Sequence, residues 1–372
     1  MKICVLATFP NPNLPHTFKG GYRRTTELLK VLSRSHEVRL LVATPSSPWE
    51  LGLPGGLPVD MVSSLALPVQ WLKTSALLTG ICKTHDVLLA YNPTLRTLPA
   101  LIARLTPCAL AIDYVDIQGT EVYKYWLFRH LSVLAEWLML RSCRNYLAIT
   151  TRLVERIRAF QPDANVLLLR GVFSEPALSD ETGVVVDRRC INVMYLGSMF
   201  SFSGVDLLIR AFGRVSDERL RLFIVGSGPE RPSLERLAQE VDARRIRFVA
   251  LTDSQLHGFL RQMDILTIPF VDHSRNRANF PSKVIEYLWS GKCILATRVG
   301  EIPQVLEHGD TAFLVPGGDV RALADGLSAL AGDAELRARL GGNGRRLYEA
   351  HFSPQAVEAQ LNRFLQRVVG AA

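Results

Sequence analysis

Short apolar runs alternate with helical patterns along most of the chain. Continuous apolar runs predict buried strands, whereas apolar residues three and four positions apart predict helices. In the first half, strands are expected at 3–7, 38–42, 86–90, 110–113 and 146–149, and helices at 22–33, 98–105 and 127–141. Strands that alternate with helices are typical of parallel βαβ units, so the sequence predicts an α/β fold with a doubly wound sheet.

The alternation stops at 173–190, where Pro, Gly and charged residues indicate a linker, and then restarts. Strands are expected at 192–196, 220–225, 246–249 and 265–268, with helices at 205–212, 234–241 and 256–262. The pattern predicts an N-terminal domain at 1–172 and a C-terminal domain at 191–353. No strand follows the helical pattern at 354–368, so segment 354–372 is expected to pack back on the first domain.

The composition narrows the classes of partner. The 372 residues carry a formal net charge of +8, which suits nucleic acid, anionic lipid or an acidic small molecule. No basic run has interleaved aromatic residues, so nucleic acid is not expected. The six cysteines are widely spaced, which predicts reduced thiols in a cytoplasmic protein and no zinc site. We expect no signal peptide and no membrane-spanning helix.

The segment 279–287 carries the most chemical information. Pro281 suits the first turn of a helix, and Asn279 or Ser282 can cap that turn. The free N–H groups and the positive end of the helix dipole then form an anion site. Lys283 adds a positive charge, and Glu286 adds an acceptor for hydroxyl groups such as those of a ribose. The segment therefore predicts a nucleotide-diphosphate ligand.

Two glycine segments are further candidates for ligand contact. Gly226 and Gly228 lie between a predicted strand and a helix, but Pro229 makes the segment a poor dinucleotide fingerprint. A tight strand-to-helix turn is the alternative. Gly20 and Gly21 follow Lys19 before the first predicted helix and permit close approach to a phosphate or sugar. A flexible loop is the alternative there.

Charged residues near predicted strand and helix ends are also candidates. Asp113 and Asp116 end a strand, where carboxylates bind sugar hydroxyls or position a catalytic water; a helix cap is the alternative. Arg275 and Arg277 precede the 279–287 segment and suit bidentate diphosphate contacts; an exposed basic loop is the alternative.

Segment 124–144 combines tryptophans with arginines. Trp126 and Trp137 lie on a helical pattern with Arg129, Arg141 and Arg144 nearby. This pattern occurs in interfacial membrane helices, but it favours a core helix with solvated arginines. The sequence leaves both interpretations open.

Several motifs together resemble a known family. They occur at 195–197, 204–212, 224–230, 280–287, 291–297, 300–309 and 313–316, in the family's order and spacing. These segments resemble the donor-site core of retaining glycosyltransferases of family 4, which have the GT-B fold. The resemblance is strong from 192 to 352 and looser before, where Gly20, Gly21 and the segment 35–38 match the family's opening.

The resemblance implies a fold and a set of roles. The GT-B fold consists of two Rossmann-like, doubly wound domains that face a cleft, with a C-terminal helix that crosses back to the N-domain. Glu286 would bind the ribose, and Ser282 and Lys283 would meet the diphosphate. The glycines implied at the donor are Gly20, Gly21, Gly197, Gly226 and Gly228.

The chain departs from the family at four positions. Ala278 replaces the first glutamate of a pair, Ser198 and Ser203 replace an arginine and a lysine, and Val115 replaces a histidine before Asp116. Our hypothesis is that Lys283, Arg275 and Arg277 cluster at one helix N-terminus and supply the lost positive charge. Together with Asp116 they are the predicted catalytic residues.

The expected activity is transfer of a sugar, with retention, from a UDP- or GDP-sugar to a hydroxyl acceptor without metal or cofactor. The acceptor is expected to be a glycan, a lipid-linked molecule or a small molecule in polysaccharide or glycoconjugate synthesis. The protein is expected in the cytoplasm, with peripheral contact to the anionic inner face of the membrane as an open alternative. Two other functions stay open: a catalytically inactive protein that binds sugar nucleotides or glycans, and a GT-B sugar-nucleotide epimerase.

Overall fold

The computed structural model describes residues 1–8, 20–44, 53, 56–64, 66–117, 126–175 and 183–370. It divides the chain into two compact units. Unit 1 comprises Met1–Ser174 with Pro354–Ala372, and unit 2 comprises Glu175–Ser353. Lys19 and part of the predicted linker, 176–182, lie outside the described residues.

Unit 1 contains a seven-stranded sheet whose paired strands are all parallel. The strands are β1 (Lys2–Ala7), β2 (Glu37–Thr44), β3 (Val59–Ser63), β4 (Val87–Tyr91), β5 (Ala109–Tyr114), β6 (Asn145–Ala148) and β7 (Asn165–Leu168). Their order in the sheet is β3-β2-β1-β4-β5-β6-β7. Because β1 is central, its side chains are buried on both faces, which explains its continuous apolar sequence.

Helices cover both faces of this sheet. They are α1 (Gly20–Leu32), α2 (Leu67–Ile81), α3 (Trp126–Ser142), α4 (Thr151–Phe160) and α12 (Pro354–Gly370), with a 3₁₀ helix at Leu98–Leu105. One core joins α1 and α12 to one face of β1, through residues such as Leu28 and Phe364. The other core lies on the opposite face and includes residues of α2, α3 and α4. The C-terminal helix therefore completes the hydrophobic core of unit 1.

Unit 2 repeats this architecture with six parallel strands. The strands are β8 (Ile191–Leu196), β9 (Leu220–Val225), β10 (Ile246–Val249), β11 (Ile265–Ile268), β12 (Cys293–Thr297) and β13 (Phe313–Val315). The helices are α5 (Val205–Phe212), α6 (Arg231–Asp242), α7 (Asp253–Arg261), α8 (Ser274–Ala278), α9 (Lys283–Ser290), α10 (Val320–Gly332) and α11 (Ala334–His351), with 3₁₀ turns at Ser201–Ser203 and Ile302–Gln304. The strand order is β10-β9-β8-β11-β12-β13, so β8 and β11 are neighbours at its centre.

The predicted alternation of strands and helices is confirmed. The strands β9, β10 and β11 and the helix α5 have the predicted bounds, whereas β3, β7, β13, α2, α10 and α11 carried no prediction. The predicted helix at 98–105 is a 3₁₀ helix. All six cysteines are free thiols, and five of them are buried. Within the described ranges, no helix combines the length and the apolar character that a bilayer crossing requires.

Candidate functional site

The start of α9 presents free backbone donors at the centre of unit 2. The N–H groups of Val284 and Ile285 donate to the carbonyls of Pro281 and Ser282, at 2.9 and 3.0 Å. In the part of the chain that the structure describes, the N–H groups of Ser282 and Lys283 have no acceptor. Two donors therefore remain at the positive end of the helix, as an anion site requires.

Capping of α9 differs from the prediction. Ser282 occupies the cap position with α-helical backbone angles, and its side chain makes no capping hydrogen bond. Asn279 instead ends α8, where its Nδ2 donates to the Arg275 carbonyl at 3.2 Å. The expectation that one of these side chains caps α9 is wrong, because Pro281 separates the two helices into distinct turns. The exposed Ser282 hydroxyl remains available to a ligand.

The ammonium group of Lys283 lies between two aromatic rings. Its Nζ is 4.4 Å from the ring centroid of Tyr195 in β8 and 5.2 Å from that of Phe270, which follows β11. Burial lowers the pKa of Lys283 from 10.5 to about 7, and the nearby charge of Glu286 acts in the opposite direction. The residue is thus held by cation–π contacts, with a proton that it loses near neutral pH.

Gly197 makes room for this lysine. It follows β8 with φ of +141°, and a Cβ atom there would lie 2.4 Å from the Lys283 Nζ. Gly197 also contacts the loop after β9, where a Cβ atom on Gly226 would lie 2.0 Å from the Gly197 carbonyl oxygen. The structure therefore brings three predicted residues together at the carboxyl ends of β8 and β9: Gly197, Gly226 and Lys283.

Gly228 has a packing role one step further along that loop. A Cβ atom on it would lie 2.4 Å from the carbonyl oxygen of Met199. The two loops are also joined by hydrogen bonds, from the Met199 N–H to Ser227 at 2.8 Å and from the Glu230 N–H to Met199 at 3.0 Å. Loop-to-loop contact explains these glycines without a ligand, so their donor-binding role stays a prediction.

Glu286 and Tyr287 lie on the first turns of α9 and are buried. The Tyr287 hydroxyl accepts a hydrogen bond from the Leu196 N–H at 3.0 Å and donates to the Thr267 carbonyl at 3.4 Å. This tyrosine therefore fixes α9 against the ends of β8 and β11, and with it the position of Lys283. Sequence reasoning missed the role of Tyr287, because a tyrosine among apolar residues gives the ordinary signal of a core residue.

Ser203 forms hydrogen bonds across the loop that follows β8. The glycosyltransferase family that the chain resembles has a lysine at this position. The Ser203 Oγ donates to the Ser198 carbonyl at 2.8 Å and accepts from the Phe200 N–H at 3.2 Å. The Tyr195 hydroxyl donates to the same carbonyl at 2.7 Å. Ser203 is 3% exposed, so its position in this chain is structural and carries no charge.

The two predicted arginines lie on α8, a separate short helix. Arg277 pairs with Asp272, with one contact at 2.7 Å, and both side chains are exposed. Arg275 lies 5.6 Å from the ring centroid of Phe202. Helix α8 ends at Ala278 and α9 begins at Lys283, so the three cations lie on two consecutive helices, and their clustering at the start of α9 stays a prediction. Their contact with a donor stays a prediction.

Asn276 anchors α8 between the two arginines. Its Nδ2 donates to the carbonyls of Phe202 and Val271, at 2.7 and 2.9 Å, and the residue is 5% exposed. Sequence reasoning missed Asn276, because it lies between two basic residues and nothing in the segment indicates a buried amide.

Unit 1 contains a second polar cluster, at the carboxyl ends of β4 and β5. Asp116 follows β5, and its N–H donates at 3.0 Å to the side-chain oxygen of Asn92, which also accepts from the Val115 N–H at 3.1 Å. Asn92 has φ of +57°, an unusual conformation that asparagine tolerates better than most residues. Asn92 therefore positions the backbone of Asp116, a role that sequence reasoning missed.

Asp113 is committed to an internal ion pair. Arg24 of α1 approaches it through two nitrogens, with contacts at 2.7 and 2.9 Å, and both side chains are largely buried. A Cβ atom on Gly21 would lie 2.4 Å from the hydroxyl of Tyr91, so the start of α1 packs against that phenol. Burial, and then the charge of Asp113, raise the pKa of Tyr91 well above its ordinary value. Gly20 begins α1 beside this contact.

The comparisons with known proteins concern unit 2 most directly. Residues 190–333 match the family described as "Glycosyl transferases group 1". That range contains Gly197, Gly226, Lys283 and Glu286, whereas the unit 1 cluster lies outside it.

Two relatives show the same partial coverage. The chain is 33% identical to a D-inositol 3-phosphate glycosyltransferase of Corynebacterium glutamicum over 181 residues, which are 46% of this chain and 42% of that protein. It is 32% identical over 176 residues to the lipopolysaccharide core biosynthesis glycosyltransferase LpsD of Rhizobium meliloti, covering 46% and 48% of the two chains. The chain therefore spans less than half the length of either relative.

The fold is shared over the whole chain with a solved structure. Anabaena HepE in complex with UDP superimposes with a TM-score of 0.76 and 15% sequence identity, over 99% of this chain and 100% of that one. At that identity the likeness concerns the fold. The predicted GT-B fold class, with two Rossmann-like domains of parallel sheet, is confirmed.

Proposed function

We propose that this protein is a glycosyltransferase that moves a sugar, with retention of configuration, from a UDP- or GDP-sugar to a hydroxyl acceptor. The family match at 190–333 and the names of the relatives support glycosyl transfer. The solved structure with bound UDP supports a nucleotide-sugar donor. The lipopolysaccharide relative supports a place in polysaccharide or glycoconjugate synthesis.

The observation that carries the proposal is the start of α9. Free N–H groups at Ser282 and Lys283, the Lys283 ammonium and the buried carboxylate of Glu286 lie within two helical turns. The donor diphosphate would bind the N–H groups and the ammonium, and the ribose hydroxyls would bind Glu286. These groups can bind an anion without a metal ion or a cofactor. We therefore propose the sugar nucleotide as a co-substrate and no further cofactor.

The proposed chemistry depends on stabilising the departing diphosphate. The bond between the anomeric carbon and the donor phosphate oxygen breaks, and the acceptor oxygen bonds to that carbon on the same face. The acceptor proton passes to the departing phosphate. Negative charge grows on the diphosphate during this step, and preorganised donors at such a position contribute most to catalysis. Arg275, Arg277 and Asp116 are proposed to assist.

A panel of UDP- and GDP-sugars tests the proposal. Wild type is expected to release UDP or GDP from one member, faster when the acceptor is present, and the product should keep the anomeric configuration of the donor. The Lys283→Met/Arg275→Gln/Arg277→Gln variant should lose this release. Lys292→Met is the matched control, since Lys292 follows the other end of α9. Equal release by the triple variant would contradict the assignment.

The second candidate is an inactive protein that binds sugar nucleotides or glycans. The observation in its favour is that Ser203, bonded within its own loop, takes the place of a cation of the resembling family. Such a protein would bind a member of the panel without releasing the nucleoside diphosphate. Conversion of a donor to its epimer without acceptor would instead indicate an epimerase.

A further inference from the structure

Helix α3 of unit 1 leaves several of its bulky apolar residues exposed. Trp126 is 73% exposed, Leu127 51% and Leu134 50%. The exposed apolar side chains of this helix, called here the α3 face, are Trp126, Leu127, Leu131, Val133, Leu134 and Trp137. One side of α3 does pack on the core, through Met139 and Leu140, so the core-helix interpretation accounts for that side and leaves the exposed apolar side chains unexplained.

The inward side of α3 is small and polar at Ser132, Ala135 and Glu136 and becomes apolar at its C-terminal end, where Met139 and Leu140 join the core. Glu136 accepts hydrogen bonds from Arg156 of α4 at 3.0 and 3.1 Å and from the Tyr114 hydroxyl. This buried network fixes the rotation of α3 about its axis, because turning the helix would separate the buried Glu136 carboxylate from Arg156. The outward direction of the α3 face is therefore built into the fold.

Neighbouring elements extend the apolar surface. The 3₁₀ helix packs against both α2 and α3 and exposes Leu105 at 85%. Leu72 of α2 is 74% exposed, on a helix whose buried side includes Gln70 and Thr74. All three elements cover the same face of the unit 1 sheet. Each of the three elements therefore leaves at least one large apolar side chain exposed.

The charge around the α3 face is positive. Arg129 and Arg141 of α3 are exposed, whereas its carboxylate, Glu136, is buried. The guanidinium of Arg141 lies 4.8 Å from the Trp137 ring centroid. Segments 1–174 and 354–372 carry 21 Lys and Arg against 12 Asp and Glu, and segment 175–353 carries 22 against 23. The basic surplus of the chain thus belongs to unit 1.

We propose that the α3 face docks on the surface of a bilayer that contains anionic lipid. Tryptophans at both ends of the apolar stripe suit the boundary between lipid chains and headgroups, and arginines beside them suit anionic headgroups. Contact with a second copy fits less well, because a twofold interface would bring the arginines of one α3 near those of the other. The inference does not depend on the proposed glycosyl transfer.

Flotation of the full chain with vesicles tests the docking surface. At low salt the protein should float with vesicles of phosphatidylcholine and phosphatidylglycerol, less with phosphatidylcholine alone, and less in high salt. Leu131→Glu/Leu134→Glu should reduce the bound fraction by at least about tenfold, because it places two charges in the apolar contact. Val185→Glu is the control, since Val185 is 87% exposed in unit 2.

A second measurement uses only the wild-type protein, so its result does not depend on whether a variant folds. Brominated lipid in the same vesicles should quench the tryptophan fluorescence of the wild type, as contact with Trp126 and Trp137 requires. Three results would overturn the proposal: no flotation with anionic vesicles at low salt, flotation unchanged in a folded double variant, or no quenching. A dimer that the double variant dissociates, without vesicle binding, would assign the surface to a second copy and overturn it as well.

Discussion

Unit 1 and unit 2 each hold a cation near the carboxyl ends of their central strands, but they hold it differently. Arg24 of unit 1 meets a buried carboxylate, Asp113, through two nitrogens. Lys283 of unit 2 lies between the rings of Tyr195 and Phe270. Among the described residues, no carboxylate lies within ion-pair distance of Lys283.

We interpret Arg24 as a charge that serves the fold and Lys283 as a charge that serves ligand binding. The charge of Arg24 is already neutralised inside the protein, so it stabilises the fold and offers little to a ligand. The charge of Lys283 is desolvated and incompletely compensated, which lowers its pKa and favours any anion that restores the proton. Perturbed groups of this kind are common at functional sites. We therefore propose that Arg24 stabilises the fold and that Lys283 binds the donor.

The largest effect is expected when the Arg24–Asp113 ion pair of unit 1 is broken. Arg24→Met should lower the free energy of unfolding by about 3–5 kcal/mol, because it leaves the buried Asp113 carboxylate without its partner. Arg24→Met/Asp113→Leu should recover part of that loss. Denaturant unfolding followed by circular dichroism measures both. Arg39→Met, in the more exposed Arg39–Asp60 pair, is the control and should cost at most about 1 kcal/mol. An Arg24→Met variant with the same free energy of unfolding as wild type would show that the ion pair has no structural role.

The next effect concerns the unit 2 cation. Lys283→Met should lower donor turnover by about 10²–10³, the range found when one preorganised donor to a developing oxyanion is removed. Initial rates of UDP or GDP release measure this on the best sugar nucleotide of the panel. Stability should not fall, since the substitution removes a desolvated charge. Turnover within about twofold of wild type would mean that Lys283 is structural, as Arg24 is.

The third prediction concerns pH. Lys283 has a pKa of about 7 in the free protein, so it is protonated below that pH and increasingly neutral above it. If the donor diphosphate binds the protonated form, as we propose, the donor KM should be flat below pH 7 and rise above it, by up to about tenfold per unit. In Lys283→Met this rise should disappear. A wild-type KM that stays constant from pH 6 to 9 would contradict the assignment.

The same pKa predicts a change in stability. The unfolded chain keeps the Lys283 proton up to about pH 10.5, whereas the folded chain loses it near 7. Between these values the unfolded state binds more protons, so this residue makes the free energy of unfolding rise with pH. Below pH 7 its unfavourable contribution is complete and constant. Comparison of wild type with Lys283→Met over pH 6–10 isolates the effect, and parallel curves would argue against it.

The smallest effect concerns the loop that supports Lys283. Ser203→Ala removes two hydrogen bonds in a buried loop and should cost about 1–2 kcal/mol of stability. Donor turnover should fall less than in Lys283→Met, because Tyr195 still holds the Ser198 carbonyl. Thermal unfolding and initial rates measure the two. A larger loss of turnover than in Lys283→Met would give Ser203 a direct role at the donor.

Much of the fold could be predicted because parallel strands buried on both faces are continuous apolar runs. β11 is buried along its whole length and β9 at all but Arg221, and the bounds of both agree with the prediction. The bounds of the edge strand β10 also agree, although its Arg247 is exposed. Helix α2 escaped prediction because its buried side includes Gln70 and Thr74 while Leu72 is exposed, so the apolar period carries no helical signal.

The site was predictable where one short segment carries it. Lys283 and Glu286 lie three residues apart on one helix, so spacing alone brought them together. The aromatic contacts of Lys283 come from Tyr195 in β8 and Phe270 after β11, and the placement of Arg275 and Arg277 depends on where α8 ends. The position of Asp116 depends on Asn92, 24 residues earlier. Such contacts follow from tertiary structure and leave no local pattern.

The most direct test of the central claim is a crystal structure of the protein with UDP, and a second with GDP. We expect the diphosphate of the bound nucleotide to contact the Lys283 Nζ and the N–H groups of Ser282 and Lys283, with the ribose at Glu286. A diphosphate bound elsewhere in the protein, with Lys283 still held against Tyr195 and Phe270, would contradict it.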